Sequence, residues 1–523
     1  MSLPLVGELA LWVALLFAAW GLVTSAAAGP VARTDLAVSG HRAIHAAGVM
    51  SMLALLALAT SLFRHDFTLA YVAAFGGVTA PPRELITALW AAPPGALLVL
   101  AVAMSAVAAL VATDDEPVVS AALHLLLLGA LATVLGSESP FERLPYLAGD
   151  GRGLPPQLRD AVSLLAWPVW AAATTAAAAS FALATASALH AAARRGLAVR
   201  SHRWALGAWV LHSAALLLAI WWSYRMPSGD QTWLARALHP TVTVAWLALG
   251  VAAHLPAIER RWTMRVRGRL TILALPLPLL LISAMPGAEG GWQPLHELLH
   301  GVGGAWWIVL VVALLQVTVY AFVRAPRAPL PVDGRAVGFE SAGGGEAGIA
   351  GALRGGRLGS RLSHAGIAIA LVGLAAGVAS RERTLVLDPG ATSMSTDAMR
   401  RDWRIVYQGL STGEERTPLG EVRWRELLLP VAIASEGGGA GRTLLVPEIR
   451  EYVDVFGRPT APPWPRPAIH HGVVQDIVIE PDSIGDGEGA RVRVAFVPLP
   501  GLVWVGGLAV VLGGALALAG ERR

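Results

Sequence analysis

Apolar residues run through this chain in blocks of about 18 to 25, separated by short polar or basic stretches. At ~1.5 Å per helical residue, such a block crosses a hydrocarbon layer ~30 Å thick. The pattern predicts eleven membrane-spanning helices, near residues 4–27, 43–63, 86–112, 117–136, 160–190, 203–223, 238–257, 268–286, 301–323, 361–380 and 500–520. Between the last two spans the texture changes. Runs such as Arg383-Thr-Leu-Val-Leu-Asp388, Arg404-Ile-Val-Tyr407, Arg442-Thr-Leu-Leu-Val446 and Ala490-Arg-Val-Arg-Val-Ala-Phe-Val497 alternate with period two. Alternation between turn-formers predicts a small antiparallel β domain over 384–498.

The predicted fold class is therefore an all-α polytopic membrane bundle with a small antiparallel β domain before the last helix. Its expected parts are an N-terminal bundle of about nine helices at 1–324, a linker at 325–360, a helix at 361–380 carrying His364, the β domain at 381–499, and a terminal helix at 500–523. The linker is rich in Gly, Ala, Arg and Pro, too poor in large apolar residues to fold alone, and is expected to be flexible and cytoplasmic.

Basic residues set the orientation. With the N-terminus outside, Arg33 and Arg42, Arg194 to Arg203, Glu259 to Arg269, Arg324 to Arg361, and Arg522 with Arg523 all fall inside. Positive charge thus collects on one side, as the positive-inside rule requires, and only the Asp114-Asp115-Glu116 loop departs from it. The first apolar stretch, Leu5 to Ala28, lacks a basic leader and reads as a retained helix. The N-terminus and the β domain are both expected on the periplasmic side of a bacterial inner membrane.

Composition agrees: 55% of residues are hydrophobic, 15% are charged, and the mean hydropathy is +0.57. The net charge of +4 comes from loop residues scattered along the chain, which argues against a nucleic-acid partner. Cysteine is absent, which excludes disulfides, thiolate metal sites and cysteine nucleophiles.

The remaining chemistry lies in fourteen histidines. His254, near the inner end of one predicted span, and His364, near the start of another, fall at similar depth on the cytoplasmic side. Two imidazoles facing each other there would suit the axial positions of a haem iron, with neighbouring Gly and Ala leaving room for a flat macrocycle. An interhelical contact is the competing reading for each, as it is for His212 in mid-span. His124 shares the depth of the proposed pair and stands as an alternative ligand. Outside, His296 and His300 are four apart in Gln293-Pro-Leu-His296-Glu-Leu-Leu-His300. Such a pair could bind a metal, and an amphipathic interfacial helix is the alternative.

Several stretches together resemble the CcmF family, the haem lyase subunit of bacterial cytochrome c maturation. Asp66-Phe-Thr-Leu-Ala-Tyr-Val-Ala73 is close to the family's D-F-S-V-x-Y-V-A, and Thr87-Ala-Leu-Trp90 follows it, with Ala91-Ala-Pro-Pro94 in place of most of G-G-x-E-G. The likeness resumes at Asp150-Gly-Arg-Gly-Leu154, Trp221-Trp-Ser-Tyr224, Trp246 with His254, His296, and Ser363-His364-Ala-Gly366, then runs through the β domain into the last helix.

The resemblance implies a resident haem b held by His254 and His364, and an outer haem held by His296 and a second histidine whose place is taken by Ala166. The family's tryptophan-rich WWD segment becomes Gly229-Asp-Gln-Thr-Trp-Leu-Ala-Arg-Ala-Leu-His-Pro240, where Trp233 alone keeps its aromatic place. Thr232, Leu234 and Ala235 cannot stack on haem. Arg236 is a candidate partner for a propionate, and His239 a candidate displaced ligand.

By resemblance the partners are haem, apocytochrome c, a haem chaperone, thiol-handling subunits and membrane lipid. Two readings follow. In one, the chain delivers and attaches haem. In the other, it is a non-catalytic haem-binding or assembly scaffold that has lost the outer site, as the changes at 166 and 229–240 favour. A secondary transporter is disfavoured, because charged residues are almost absent from the middle of the spans.

Overall fold

The computed structural model describes residues 2–113, 115–136, 139–146, 148–189, 194–227, 356–377, 380–397, 399–418, 420–435, 442–485 and 488–520. Its helices are α1 (Leu3–Ala28), α2 (Thr34–Phe63), α3 (Ala70–Phe75), α4 (Pro82–Ala88), α5 (Pro93–Val111), α6 (Pro117–Gly136), α7 (Ser163–Leu189), α8 (Arg194–Tyr224), α9 (Gly356–Gly377) and α10 (Pro500–Gly520). Seven of them are long and apolar enough to cross a membrane: α1, α2, α5, α6, α7, α8 and α10. The chain is a multi-pass membrane protein. The spans expected at 238–257, 268–286 and 301–323 lie outside the described residues.

Four boundaries differ from expectation, one of them that of α8, which begins at Arg194 rather than 203. Helix α2 begins at Thr34 rather than 43, so His41, Arg42 and His45 belong to it. The span expected over 86–112 is two helices, α4 and α5, with Leu89 to Ala92 between them. Pro93 and Pro94 explain the break: proline is accommodated in a first helical turn but cannot lie inside the hydrogen-bonded ladder, and it biases the preceding residue away from helix. Helix α9 starts at Gly356, so the last residues of the expected linker are helical.

Among the described residues the β domain carries twelve strands, β1 (Arg381–Leu387), β2 (Thr392–Thr396), β3 (Asp402–Tyr407), β4 (Ser411–Arg416), β5 (Val422–Leu428), β6 (Val431–Ser435), β7 (Thr443–Leu445), β8 (Glu448–Tyr452), β9 (Trp464–Arg466), β10 (Ala468–His470), β11 (Gln475–Ile484) and β12 (Ala490–Pro498). They form three antiparallel sheets ordered β1-β12-β11-β10, β2-β3-β6-β7 and β4-β5-β8-β9. The first two share a core in which Trp403, Ile405, Tyr407, Val431, Ile477, Val492 and Phe496 are buried. Alternation is visible in β12, whose burial switches along Ala490 to Pro498. Asp397 ties the two sheets together. Its carboxylate, fully buried, accepts hydrogen bonds from the backbone N–H of Met399 and Arg401, from Arg401 Nε (2.9 Å), from Trp403 Nε1 (3.1 Å) and from Gln475 Nε2 (2.7 Å). Burial pushes this carboxyl up, but the donors outweigh it and bring it down to about 2.

Ser2, the loops at 64–92 and 139–160, the end of α8 and the start of α10 share the membrane face on which the β domain sits. Arg143 reaches the Ser2 hydroxyl, and Leu69 pairs with Arg143 in an isolated bridge. Arg33 and Arg200 lie at the opposite face, where Arg200 Nη2 donates to the Val111 carbonyl at 2.8 Å.

Candidate functional site

His364 lies on α9, whose packing is dictated by glycine. A Cβ at Gly359 would sit 2.5 Å from Gly513 O, one at Gly366 2.6 Å from Gly506 O, and one at Gly373 2.8 Å from Val503 N. Seen from α10, a Cβ at Gly506 would lie 2.4 Å from Ala370 N and one at Gly513 2.4 Å from Ser363 Oγ. The two backbones therefore touch along a stripe repeating every seven residues, the close approach that small residues permit between helices in lipid. Ser363 Oγ, on the same stripe, donates to Val510 O at 3.2 Å. His364 is one residue round the helix. It is exposed together with Ala365, Ala368 and Arg361, on the face turned away from α10. That face offers an imidazole flanked by methyl groups, which suits a flat macrocycle beside the helix.

The expected partner His254 lies outside the described residues. So do His296, Trp233, Arg236 and His239. The structure therefore describes one residue of the expected set, His364.

The two competing membrane histidines have other roles. His124 on α6 is fully buried, and its Nε2 donates to the Gly40 carbonyl at 3.0 Å. A Cβ at Gly21 would fall 2.0 Å from the His124 ring. The imidazole is thus wedged between α1 and α2 with no room for a porphyrin. His212 donates to the Ala208 carbonyl one turn back on α8. His124 fits the interhelical reading, whereas the His212 bond lies within its own helix.

The stretches behind the resemblance also find physical roles. Phe67, Leu69, Tyr71 and Val72 from the Asp66 to Ala73 segment fold inward to cap the bundle core. Tyr71 Oη donates to Ala88 O at 2.8 Å, and a Cβ at Gly95 would strike that oxygen at 2.2 Å. In Asp150-Gly-Arg-Gly-Leu154, the Asp150 carboxylate accepts from Val78 N (2.9 Å) on the bundle and from Val455 N (3.1 Å) on the β domain. A Cβ at Gly151 would meet Gly76 O at 2.1 Å, and Gly153 takes a φ of 73° that favours glycine.

Beside this clip, Glu84 of α4 is buried to 4% exposure. It pairs with Arg423 of β5 at 2.9 Å and with Arg159 at 3.6 Å. Arg159 also lies 3.9 Å above the Tyr452 ring. Burial lowers the Arg159 guanidinium from its ordinary value, and Glu84 opposes that.

A second cluster on this face went unnoticed in the sequence. Trp221 and Tyr224 at the end of α8, Trp504 on α10, and His471 and Asp476 of the β domain converge. Trp221 meets Trp504 edge to face with centroids 5.0 Å apart, and Tyr224 meets it at 5.7 Å. His471 stacks on Trp221 at 5.9 Å with an interplanar angle of 21°. Ala166, at the place of the expected second outer ligand, lies in the first turn of α7 next to Trp167, which stacks on Trp170 at 4.4 Å. The only sequence signal for the cluster is the Trp221-Trp-Ser-Tyr224 stretch. His471 reads there as an ordinary loop-edge residue.

No model of a known protein family matches the chain. A cytochrome c-type biogenesis protein CcmF from Haemophilus influenzae is 29% identical over 230 residues, 41% of this chain and 35% of that one. The CcmF of Escherichia coli K12 is 27% identical over 225 residues, 40% of this chain and 35% of that one. The chain also resembles a probable cytochrome c-type biogenesis protein NrfE of Escherichia coli K12, 26% identical over 261 residues, 48% of this chain and 47% of that one. These matches span less than half the length of each relative. Among solved structures, Cytochrome c Heme Lyase CcmF superposes with a TM-score of 0.63 at 18% identity, covering 99% of this chain and 98% of that one. The fold, a helical membrane bundle with an antiparallel β domain before the last helix, is the CcmF fold.

Proposed function

We propose that this protein handles haem during cytochrome c maturation in a bacterial inner membrane, with its N-terminus and β domain periplasmic. The observation that carries the proposal is the presentation of His364 on a face of α9 lined by small residues, in a chain with the CcmF fold. His364 and His254 would supply the two axial nitrogens of a resident haem b. Bound there, the haem would supply a one-electron couple.

The protein's own part is positioning. Backbone contact between α9 and α10 fixes the rotation of α9, and so fixes the direction in which the His364 imidazole points. The clip at Asp150 and Glu84 holds the β domain over the outer ends of α7 and α8, where an apocytochrome segment and its haem would meet. His296, Trp233, Arg236 and His239 are the proposed contacts of that outer haem. Attachment adds each cysteine S–H across a haem vinyl C=C bond, forming a C–S and a C–H bond with no leaving group. Holding the two reactants together therefore supplies much of the acceleration. The partners on this reading are apocytochrome c, a haem chaperone and thiol-handling subunits.

Ala166 favours a second reading, a haem-binding scaffold without lyase activity. Visible spectra of the purified wild-type, His254→Ala and His364→Ala proteins test what the two readings share. Loss of the low-spin bis-histidine bands in each variant is expected, and unchanged bands in both would refute it. Cytochrome c yield in a deletion strain carrying this chain separates lyase from scaffold, since full rescue is incompatible with the latter.

A further inference from the structure

His471 is held as metal-binding imidazoles are held. Its Nδ1 lies 2.8 Å from Asp476 Oδ2. Asp476 is itself fixed: its side chain is 3% exposed, the same oxygen accepts from Tyr224 Oη at 2.8 Å, and Oδ1 accepts from Gly472 N at 3.1 Å. A carboxylate on Nδ1 selects the tautomer with the proton on Nδ1 and the lone pair on Nε2. The imidazole is 53% exposed, so Nε2 is accessible, while one ring face rests on Trp221.

The donor set limits what such a ligand would take. Among the described residues no three His, Cys, Asp or Glu side chains gather as a metal site. A bare zinc or copper ion would find a single imidazole here. An iron that already carries four equatorial nitrogens of its own needs only one or two ligands from protein, and the rings around His471, Trp221 against its face with Trp504 and Tyr224 packed behind Trp221, hold the imidazole in place.

We propose that His471 Nε2 is an axial ligand for haem iron on the β-domain face, with Asp476 and Tyr224 as positioning residues and Trp221 as its aromatic support. The proposal rests on the haem-handling reading and supplies that face with an imidazole where residue 166 is alanine. It also joins ligand and bundle, because Tyr224 belongs to α8 and His471 to the β domain.

The test is a titration of the purified full chain with haem, oxidised and reduced, followed by visible and EPR spectra. It uses wild type, His364→Ala, His471→Ala, Asp476→Asn and the His364→Ala/His471→Ala double variant. His364→Ala is expected to retain a saturable haem with the spectrum of a single imidazole ligand, which disappears in the double variant and returns with free imidazole. Asp476→Asn in the His364→Ala background is expected to weaken that haem by about 10 to 100-fold. Because His471 is exposed, its replacement should leave the thermal melt unchanged, and imidazole rescue separates lost ligation from lost fold. Bands that depend on His364 but are identical with and without His471 would overturn this proposal and leave the broader reading standing. Haem that depends on His471 alone would do the reverse, and no haem uptake by the wild type would overturn both.

Discussion

Helices α9 and α10 meet through glycines, whereas the β domain meets the bundle through carboxylates and guanidinium groups. In lipid no hydrophobic gain distinguishes a helix surface in contact with acyl chains from one in contact with another helix, so association rests on close backbone packing. Gly359, Gly366, Gly506 and Gly513 provide it, with Ser363 adding a hydrogen bond. At the outer face water competes for every polar group, and docking is specified by burying charges that satisfy one another. Glu84 between Arg159 and Arg423, and Asp150 between Val78 and Val455, do this. One interface tolerates no added volume, and the other tolerates no lost charge.

The largest expected effect follows from removing a charge. Glu84→Ala leaves Arg159 and Arg423 buried without their carboxylate, and breaking a buried pair in this way costs about 3–5 kcal/mol. Thermal unfolding in detergent should fall, and limited proteolysis should release the β domain before the helices are cut. An unchanged proteolysis rate would mean that the ion pairs are not what holds the domain down.

Added volume at the other interface should cost less. Gly366→Val places a side chain where a Cβ already meets Gly506 O at 2.6 Å, and overpacking of this kind costs about 1–3 kcal/mol. Because α9 must rotate or separate to accept it, the bands that depend on His364 should weaken while β-domain docking persists. The reverse pattern would contradict the division of labour between the two contacts.

The smallest effect is one of pH and isolates the β domain from both interfaces. Its hydrogen-bond donors hold the Asp397 carboxyl down at about 2, below the ordinary aspartate value. A depressed carboxylate contributes stability above its unfolded pKa and loses it as pH falls through the folded one. The contribution, on the order of 2 kcal/mol, should therefore be complete above about pH 4 and disappear toward pH 2. Asp397→Asn should flatten the acid limb of a melting curve across that window while leaving the detergent stability of α9 and α10 alone.

Much of the helical layout was legible because lipid demands an unbroken apolar run, and that demand is local. The expected spans at 4–27, 117–136 and 500–520 lie within a residue or two of α1, α6 and α10. The split between α4 and α5 was also written in the chain, in Pro93-Pro94, but hydropathy does not register a backbone that cannot donate. The β domain was legible as alternation. Its three sheets were not, since β1 pairs with β12 across almost the whole domain.

The candidate site divides in the same way. The membrane histidines His124, His212, His254 and His364 could be nominated, because a histidine within an apolar helix is rare for a local energetic reason. The roles of His124 and His471 could not. His124 is occupied by a carbonyl 84 residues away. His471 gains its meaning from an aspartate shared with a tyrosine 252 residues from that aspartate. By itself, then, the sequence determined which of its segments are long and apolar, where the basic loops fall along the chain, and which residue types could bind a metal, because each depends on solvent and on near neighbours. Only the tertiary structure decided which histidines are already hydrogen-bonded and which are held with a nitrogen exposed, because a side chain's partners are set by contacts that fold distant segments together.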